Sequence, residues 1–203
     1  MKFALVGATG RVGSRILAEA LTRGHEVTAI ARHSADLAPQ PNLAVKEGDA
    51  SNPSALALLL RGHDAVVSAL RFANSDPRKL IEAVKASGVK RYVVVGGAGS
   101  LEVAPGQKLL DTPTFPAPFL SEATAADNFL TMLREETELE WSFLSPSAMF
   151  APGARTGKFR LGRDQLLTDD QGHSAISMED FAIALLDELE HPKHIRQRFT
   201  VGY

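Results

Sequence analysis

Residues 2–21, KFALVGATGRVGSRILAEAL, decide how the rest of the chain is read. Phe3, Ala4, Leu5 and Val6 form a short apolar run, the pattern of a parallel strand covered on both faces. Gly7, Gly10 and Gly13 then mark a turn. Beyond them Val12, Ile16, Leu17, Ala20 and Leu21 recur at helical spacing, and Gly24 stands where a helix would stop. A strand that passes through glycines into a helix leaves backbone N–H groups pointing outward, and the missing side chains let a diphosphate approach them. The spacing Gly7-x-x-Gly10-x-x-Gly13 departs from the commoner G-x-G-x-x-G, and a tight structural turn without a ligand is the competing reading.

The remaining segments repeat that unit. Strands are predicted over Glu26–Ile30, Leu43–Lys46, Asp64–Ala69, Arg91–Gly96, Glu140–Leu144 and Arg198–Val201, and helices over Pro53–Leu60, from Pro77 to Gly88, and over Ser121–Glu138. Asp76 with Pro77 reads as an N-cap followed by proline at the first helical position, and Ser177 with Asp180 as a capping box opening the last long helix. Strand alternating with helix implies α/β architecture: a doubly wound, mostly parallel sheet with helices on both faces. Gly97–Pro118, with five prolines or glycines after Leu101, breaks the rhythm as a long loop of a length that is usually functional.

The whole chain has 203 residues and reads as a single domain, with about 145–203 completing the substrate side. A net charge of −2 offers no long-range attraction for nucleic acid or an anionic membrane. The chain has no cysteine, which removes disulfides, thiolate nucleophiles and Cys-ligated metals. The histidines show no metal spacing, so no metal is expected. The early entry into a core strand predicts no cleavable leader and a cytoplasmic location.

In a doubly wound sheet the ligand crosses the carboxyl ends of the strands, so the residues after each strand carry the chemistry. After the second strand stand Ala31, Arg32, His33 and Ser34, where an NAD-specific site would offer a carboxylate to the ribose. A guanidinium instead holds the extra phosphate of NADP, so Arg32 favours NADP(H) over NAD(H), unless it is simply a solvated strand-end arginine. Arg11 could reach the same phosphate. Asp49, with Ala50 beside it, is placed for the adenine amino group or as a turn former. Ser68, Ala69 and Leu70, and later Gly96, Gly97, Ala98 and Gly99, clear space for a cofactor or relieve backbone crowding. Ser145 and Pro146, with Ser147, Met149 and Phe150 beyond, form a wall beside a nicotinamide. Arg155 and Lys158 could meet an anionic substrate.

The segments VGATGRVGSRI, VVVGGAGSLEVAPG, DTPTFPAPF, WSFLSPSAMFAPGARTGKFRLG and HIRQRFTVGY together resemble the atypical short-chain dehydrogenases of the NAD(P)H-binding, NmrA-like type, within them the group called NADH-flavin reductases. The resemblance spans nearly the whole chain and implies a Rossmann-like fold. It would place Gly7, Thr9, Gly10, Arg11, Val12 and Gly13 around the diphosphate and Arg32 at the adenosine phosphate. One feature departs from ketone-reducing relatives: their Tyr-x-x-x-Lys is missing, the only tyrosines being Tyr92 and Tyr203, with Phe119 and Ala123 where the dyad would fall. A ketone reductase needs that proton donor, whereas a flavin or quinone takes its proton from water. The expected activity is therefore hydride transfer from NAD(P)H to a small-molecule acceptor, FMN, FAD or a quinone. Phe115, Phe119 and Phe150 are candidate stacking partners and Ser100 the remaining polar candidate for catalysis. A non-catalytic NADP(H) sensor with a protein partner, or an epimerase or dehydratase, are the alternatives, and an oligomer is compatible with either.

Overall fold

The computed structural model describes residues 1–33 and 37–203; the expectation for Ser34 lies outside the described residues. Its centre is an eight-stranded sheet of order β10-β12-β8-β5-β4-β1-β2-β3. The strands are β1 (Lys2–Val6), β2 (Glu26–Ala31), β3 (Leu43–Glu47), β4 (Ala65–Ser68), β5 (Arg91–Val95), β8 (Glu140–Pro146), β10 (Arg160–Gly162) and β12 (Gln197–Gly202). All neighbours run parallel except β10, which pairs antiparallel with β12 at one edge. Four short strands lie outside the sheet's run: β6 (Glu102–Ala104) with β7 (Gln107–Lys108), and β9 (Met149–Ala151) with β11 (Ala175–Ser177). These four-residue-or-less pieces and β10 carry no apolar alternation long enough to announce a strand.

Helices α1 (Gly13–Thr22) and α5 (Met178–Glu190) cover one face; α2 (Pro53–Leu60), α3 (Pro77–Ser87) and α4 (Leu120–Glu135) cover the other. Side chains alternating along the central strands feed the two cores. Phe3, Leu5, Val67 and Val93 join Ile16 and Phe181 on the first, and Ala4, Val66, Tyr92 and Phe143 join Leu80 and Phe129 on the second. Both faces are buried, hence the unbroken apolar runs of β1, β4 and β5.

Local chemistry fixes the helix ends. Asp76 accepts from the Arg78 N–H at 2.9 Å ahead of Pro77, and Gly88 closes α3 at φ 83°. Ser177 caps α5 by accepting from the Asp180 N–H at 3.0 Å. The reciprocal half of that predicted box does not form, because the Asp180 carboxylate turns to the loop after β9 instead. Helix α4 stops at Glu135, short of the predicted Glu138, where the Glu136 carboxylate takes the Glu138 N–H at 2.6 Å and the Lys85 ammonium at 3.2 Å.

The proline-rich stretch after β5 is pinned. Leu101 is fully buried, the Glu102 N–H donates to the Asp164 carbonyl at 2.8 Å, and Lys108 pairs with Asp127 of α4 at 2.7 Å. It forms the β6–β7 hairpin and two 3-10 turns rather than a regular helix. Among the described residues no helix is long and apolar enough to cross a membrane.

Candidate functional site

The strand order reverses between β1 and β4: the chain runs from β1 outward through β2 to β3, then returns to β4 on the other side of β1. Crossovers on the two sides go to opposite faces there, which opens a crevice above the carboxyl ends of the strands. The glycine turn sits in it. Gly7 adopts φ 89°, and a Cβ on it would lie 2.8 Å from the Ala69 carbonyl oxygen and 3.0 Å from Leu70 Cδ2. Gly13 brings α1 against the turn so closely that a Cβ there would lie 2.1 Å from the Gly7 oxygen.

Within the turn the Gly10 N–H donates to Gly7 O at 3.1 Å and the Ser14 N–H to Gly10 O at 2.9 Å. Arg11, Val12 and Gly13 are left with N–H groups that have no acceptor among the described residues. No side chain caps α1 and its first turn holds no acid. Most helices satisfy these donors with a cap; a start left bare, with positive dipole end outward, suits an anion. Thr9, Gly10 and Arg11 are exposed and Val12 is half-buried. The residues present therefore fit the diphosphate of a dinucleotide. Arg15, one turn on, steadies the arrangement by donating from Nη1 to the Arg11 carbonyl at 3.0 Å and from Nε to Glu179 at 3.2 Å.

The outer corner is charged. Arg32, exposed at the end of β2, acts electrostatically on Asp49, which follows β3. The Ser51 N–H, 2.8 Å from Asp49 Oδ1, does more than the Arg32 and Lys79 charges to hold the Asp49 carboxyl below its ordinary value. Asp49 is thus a turn former in the first instance, held by both the backbone and the side chain of Ser51. Ala50 packs half-buried against the second core.

The inner walls are Ala69 and Leu70 after β4 and Gly97 after β5, all half-buried. Gly96 and Gly99 answer to packing: a Cβ would meet the Phe143 ring at 2.3 Å and Ala123 Cβ at 2.7 Å respectively. Ser68 is turned away, its hydroxyl paired with the Tyr92 phenol at 2.9 Å inside the second core. Glu122 of α4 holds the β4 wall from behind by accepting from the N–H groups of Phe72 and Ala73 at 2.7 and 2.9 Å. No local pattern announces that clamp, because it joins residues about fifty positions apart.

Several expected residues sit elsewhere or deeper. Ser100 is buried, with its hydroxyl accepting from Arg198 Nη1 at 3.3 Å. Ser145 and Pro146 lie beneath the surface, and Ser145 Oγ is a buried hydroxyl without a partner among the described residues. Arg155 forms a two-pronged ion pair with Glu19 of α1, both contacts at 2.9 Å, which commits it to holding the loop down. Phe150 packs on Phe181 at a ring separation of 4.8 Å, so it belongs to the core. Phe119, 63% exposed at the start of α4, is the one of the three phenylalanines left open. Neither tyrosine is free: burial pushes the Tyr92 phenol well above its ordinary range, and Tyr203 donates to Asp180 at 2.9 Å.

A family model described as NAD(P)H-binding matches residues 7–192. The chain is 42% identical to the uncharacterized protein YwnB of Bacillus subtilis (strain 168), over 99% of this chain and 98% of that one. Among solved structures, a candidate epimerase from Bacteroides thetaiotaomicron superposes with TM-score 0.95 at 45% identity, covering 100% of this chain and 96% of the other. A candidate NADH-flavin reductase from Streptococcus pneumoniae TIGR4 superposes at 0.85 with 36% identity, covering 100% and 99%.

Proposed function

This chain belongs to the NAD(P)H-binding family, and on that premise we propose that it is an NADPH-dependent reductase serving a flavin or quinone-like acceptor. The observation that carries the proposal is the bare helix start at the strand-order reversal, with three backbone N–H groups that have no acceptor among the described residues and no acid in the first turn of α1. Gly7, Thr9, Gly10, Arg11, Val12 and Gly13 hold the diphosphate. Arg32 takes the adenosine phosphate, Asp49 and Ala50 border the adenine, and Ala69, Leu70 and Gly97 wall the passage inward to Ser145 and Pro146. When bound, NADPH supplies the hydride.

The acceptor class follows from what the chain lacks. Ketone reduction without a proton donor forfeits roughly 10²-fold to 10⁴-fold in rate. Tyr92 and Tyr203 are both committed, and Ser100 is buried against Arg198. A flavin or quinone needs no such donor, so the protein's task reduces to orientation and exclusion of water. Exposed Phe119 offers a face for a flat ring. The likeness to a candidate NADH-flavin reductase supports this reading, and the likeness to a candidate epimerase supports a second, isomerising one. The partner is a small molecule, and the proposed setting is the cytoplasm.

The test is spectrophotometric: NADPH oxidation by the purified protein with FMN, riboflavin or a benzoquinone. Steady oxidation is expected. Tight NADPH binding with no turnover across the panel would replace the reductase with a redox sensor.

A further inference from the structure

In a trans peptide the C=O and the N–H of the next residue point in opposite directions, so whatever holds a carbonyl also aims the amide that follows it. The peptide bonds of the glycine turn are trans, and behind its three outward donors stand three carbonyls. Gly10 O takes the Ser14 N–H at 2.9 Å, which aims the Arg11 N–H outward; Val12 O takes the Arg15 and Ile16 N–H groups, both at 3.0 Å, which aims the Gly13 N–H. Those are the opening backbone bonds of α1, and almost any helix-forming sequence would make them. The middle carbonyl differs. Arg11 O has no backbone donor among the described residues and is held by side chains instead, Arg15 Nη1 at 3.0 Å and Ser14 Oγ at 3.2 Å.

Arg15 is itself fixed from a second helix. Its Nε donates to Glu179 Oε1 on α5 at 3.2 Å, and Nη1 also reaches Ser14 Oγ at 3.3 Å. The other oxygen of Glu179 accepts from the Gly153 N–H at 2.8 Å, so the carboxylate is anchored at both ends. Burial opposes the Glu179 charge most strongly, yet the Gly153 N–H, its own N–H and Arg15 together hold the carboxyl below its ordinary value, which keeps it ionised at neutral pH. A guanidinium divided between a carboxylate and a backbone carbonyl has its plane set by both, a task the single ammonium of a lysine does not share.

We propose that Arg15, held by Glu179, is a positioning residue for the coenzyme: it locks the Arg11–Val12 peptide so that the Val12 N–H, the middle one of three donors, faces the diphosphate in advance. The proposal rests on the reading of the glycine turn as the coenzyme site. Arg15 acts through the peptide, and the gain is preorganisation, since a peptide left free to rotate must be ordered when the ligand binds. The competing account is an ion pair that only ties α1 to α5.

Calorimetric titration of NADPH into the parent chain, Arg15→Met, Glu179→Ala and the double variant tests it. Adenosine 2′-phosphate, which carries no diphosphate, is the control ligand, followed by amide NMR. Arg15→Met should weaken NADPH by roughly tenfold and leave adenosine 2′-phosphate unchanged. Glu179→Ala should weaken NADPH by a smaller factor, and the double variant should bind no worse than Arg15→Met, because Glu179 works through the arginine. Should Arg15→Met fail to fold, Glu179→Ala reads the same contact from α5. A parent chain that does not bind NADPH would remove the coenzyme reading and this proposal with it. With the parent binding, undiminished NADPH affinity in Arg15→Met, a parallel loss of adenosine 2′-phosphate, or additive losses in the double variant would each overturn the positioning role alone.

Discussion

The glycine turn and the Arg91–Glu188–His194 cluster lie at opposite ends of the same sheet and treat polar groups in opposite ways. At the carboxyl end, Arg11, Val12 and Gly13 have backbone donors with no acceptor among the described residues, in a crevice built from small residues. At the amino end Arg91, 7% exposed, spends both terminal nitrogens on Glu188, Ser142 and the Glu140 carbonyl, and only its Nε has no partner among the described residues. Unpaired donors cost stability wherever water is excluded, and saturated ones cost it only when broken. On the proposed reading the first region serves a ligand and the second the fold, so substitutions in each should register in different measurements.

The largest effect belongs to the end where the Glu188 carboxylate is saturated. Glu188→Gln leaves a buried guanidinium without its counter-charge and should cost about 3–5 kcal/mol of unfolding free energy, read by chemical denaturation. Burial opposes the Glu188 charge most strongly, yet the donors from His194 and Lys193 together outweigh it and hold the carboxyl below its ordinary value. A carboxyl depressed in the folded state stabilises fully above its unfolded pKa of about 4.3, and the contribution is lost as pH falls through the lower folded value. Stability of the parent chain should therefore fall on acidification below about pH 4, and the Gln variant should show a shallower acid limb.

Next comes Gly13→Ala, where the added carbon would sit 2.1 Å from Gly7 O. It should destabilise by about 3 kcal/mol and abolish coenzyme binding together. A variant that stays as stable as the parent and binds NADPH would erase the contrast between the two ends. Arg32→Ala should leave melting unchanged and weaken NADPH, but not NADH, by about 1.5–3 kcal/mol, measured by calorimetry. The smallest effect is Ser100→Ala: turnover with FMN should hardly change, whereas a loss of roughly 10²-fold or more would make Ser100 the missing proton donor.

The parallel sheet was legible because β1, β4 and β5 are buried on both faces, and burial on both faces writes itself as apolar runs. The caps at Asp76 and Ser177 were legible for an equally local reason. Long-range polar contacts were not. Arg155 reads as a substrate group until Glu19, far away in sequence, takes it, and Phe150 reads as a stacking face until Phe181 covers it. The Glu188 hub, drawing on β5, β8 and the turn before β12, leaves no spacing in the chain at all. In the candidate site the glycines and Arg32 stood out from their position behind strands, while the depth of Ser100 and Ser145 depended on tertiary packing.

A crystal structure of the chain soaked with NADPH tests the central claim most directly. The account predicts both diphosphate phosphorus groups seated on the N–H groups of Arg11, Val12 and Gly13, with the adenosine phosphate against Arg32. Coenzyme bound elsewhere on the sheet edge, or a glycine turn left bare at saturating NADPH, would contradict it.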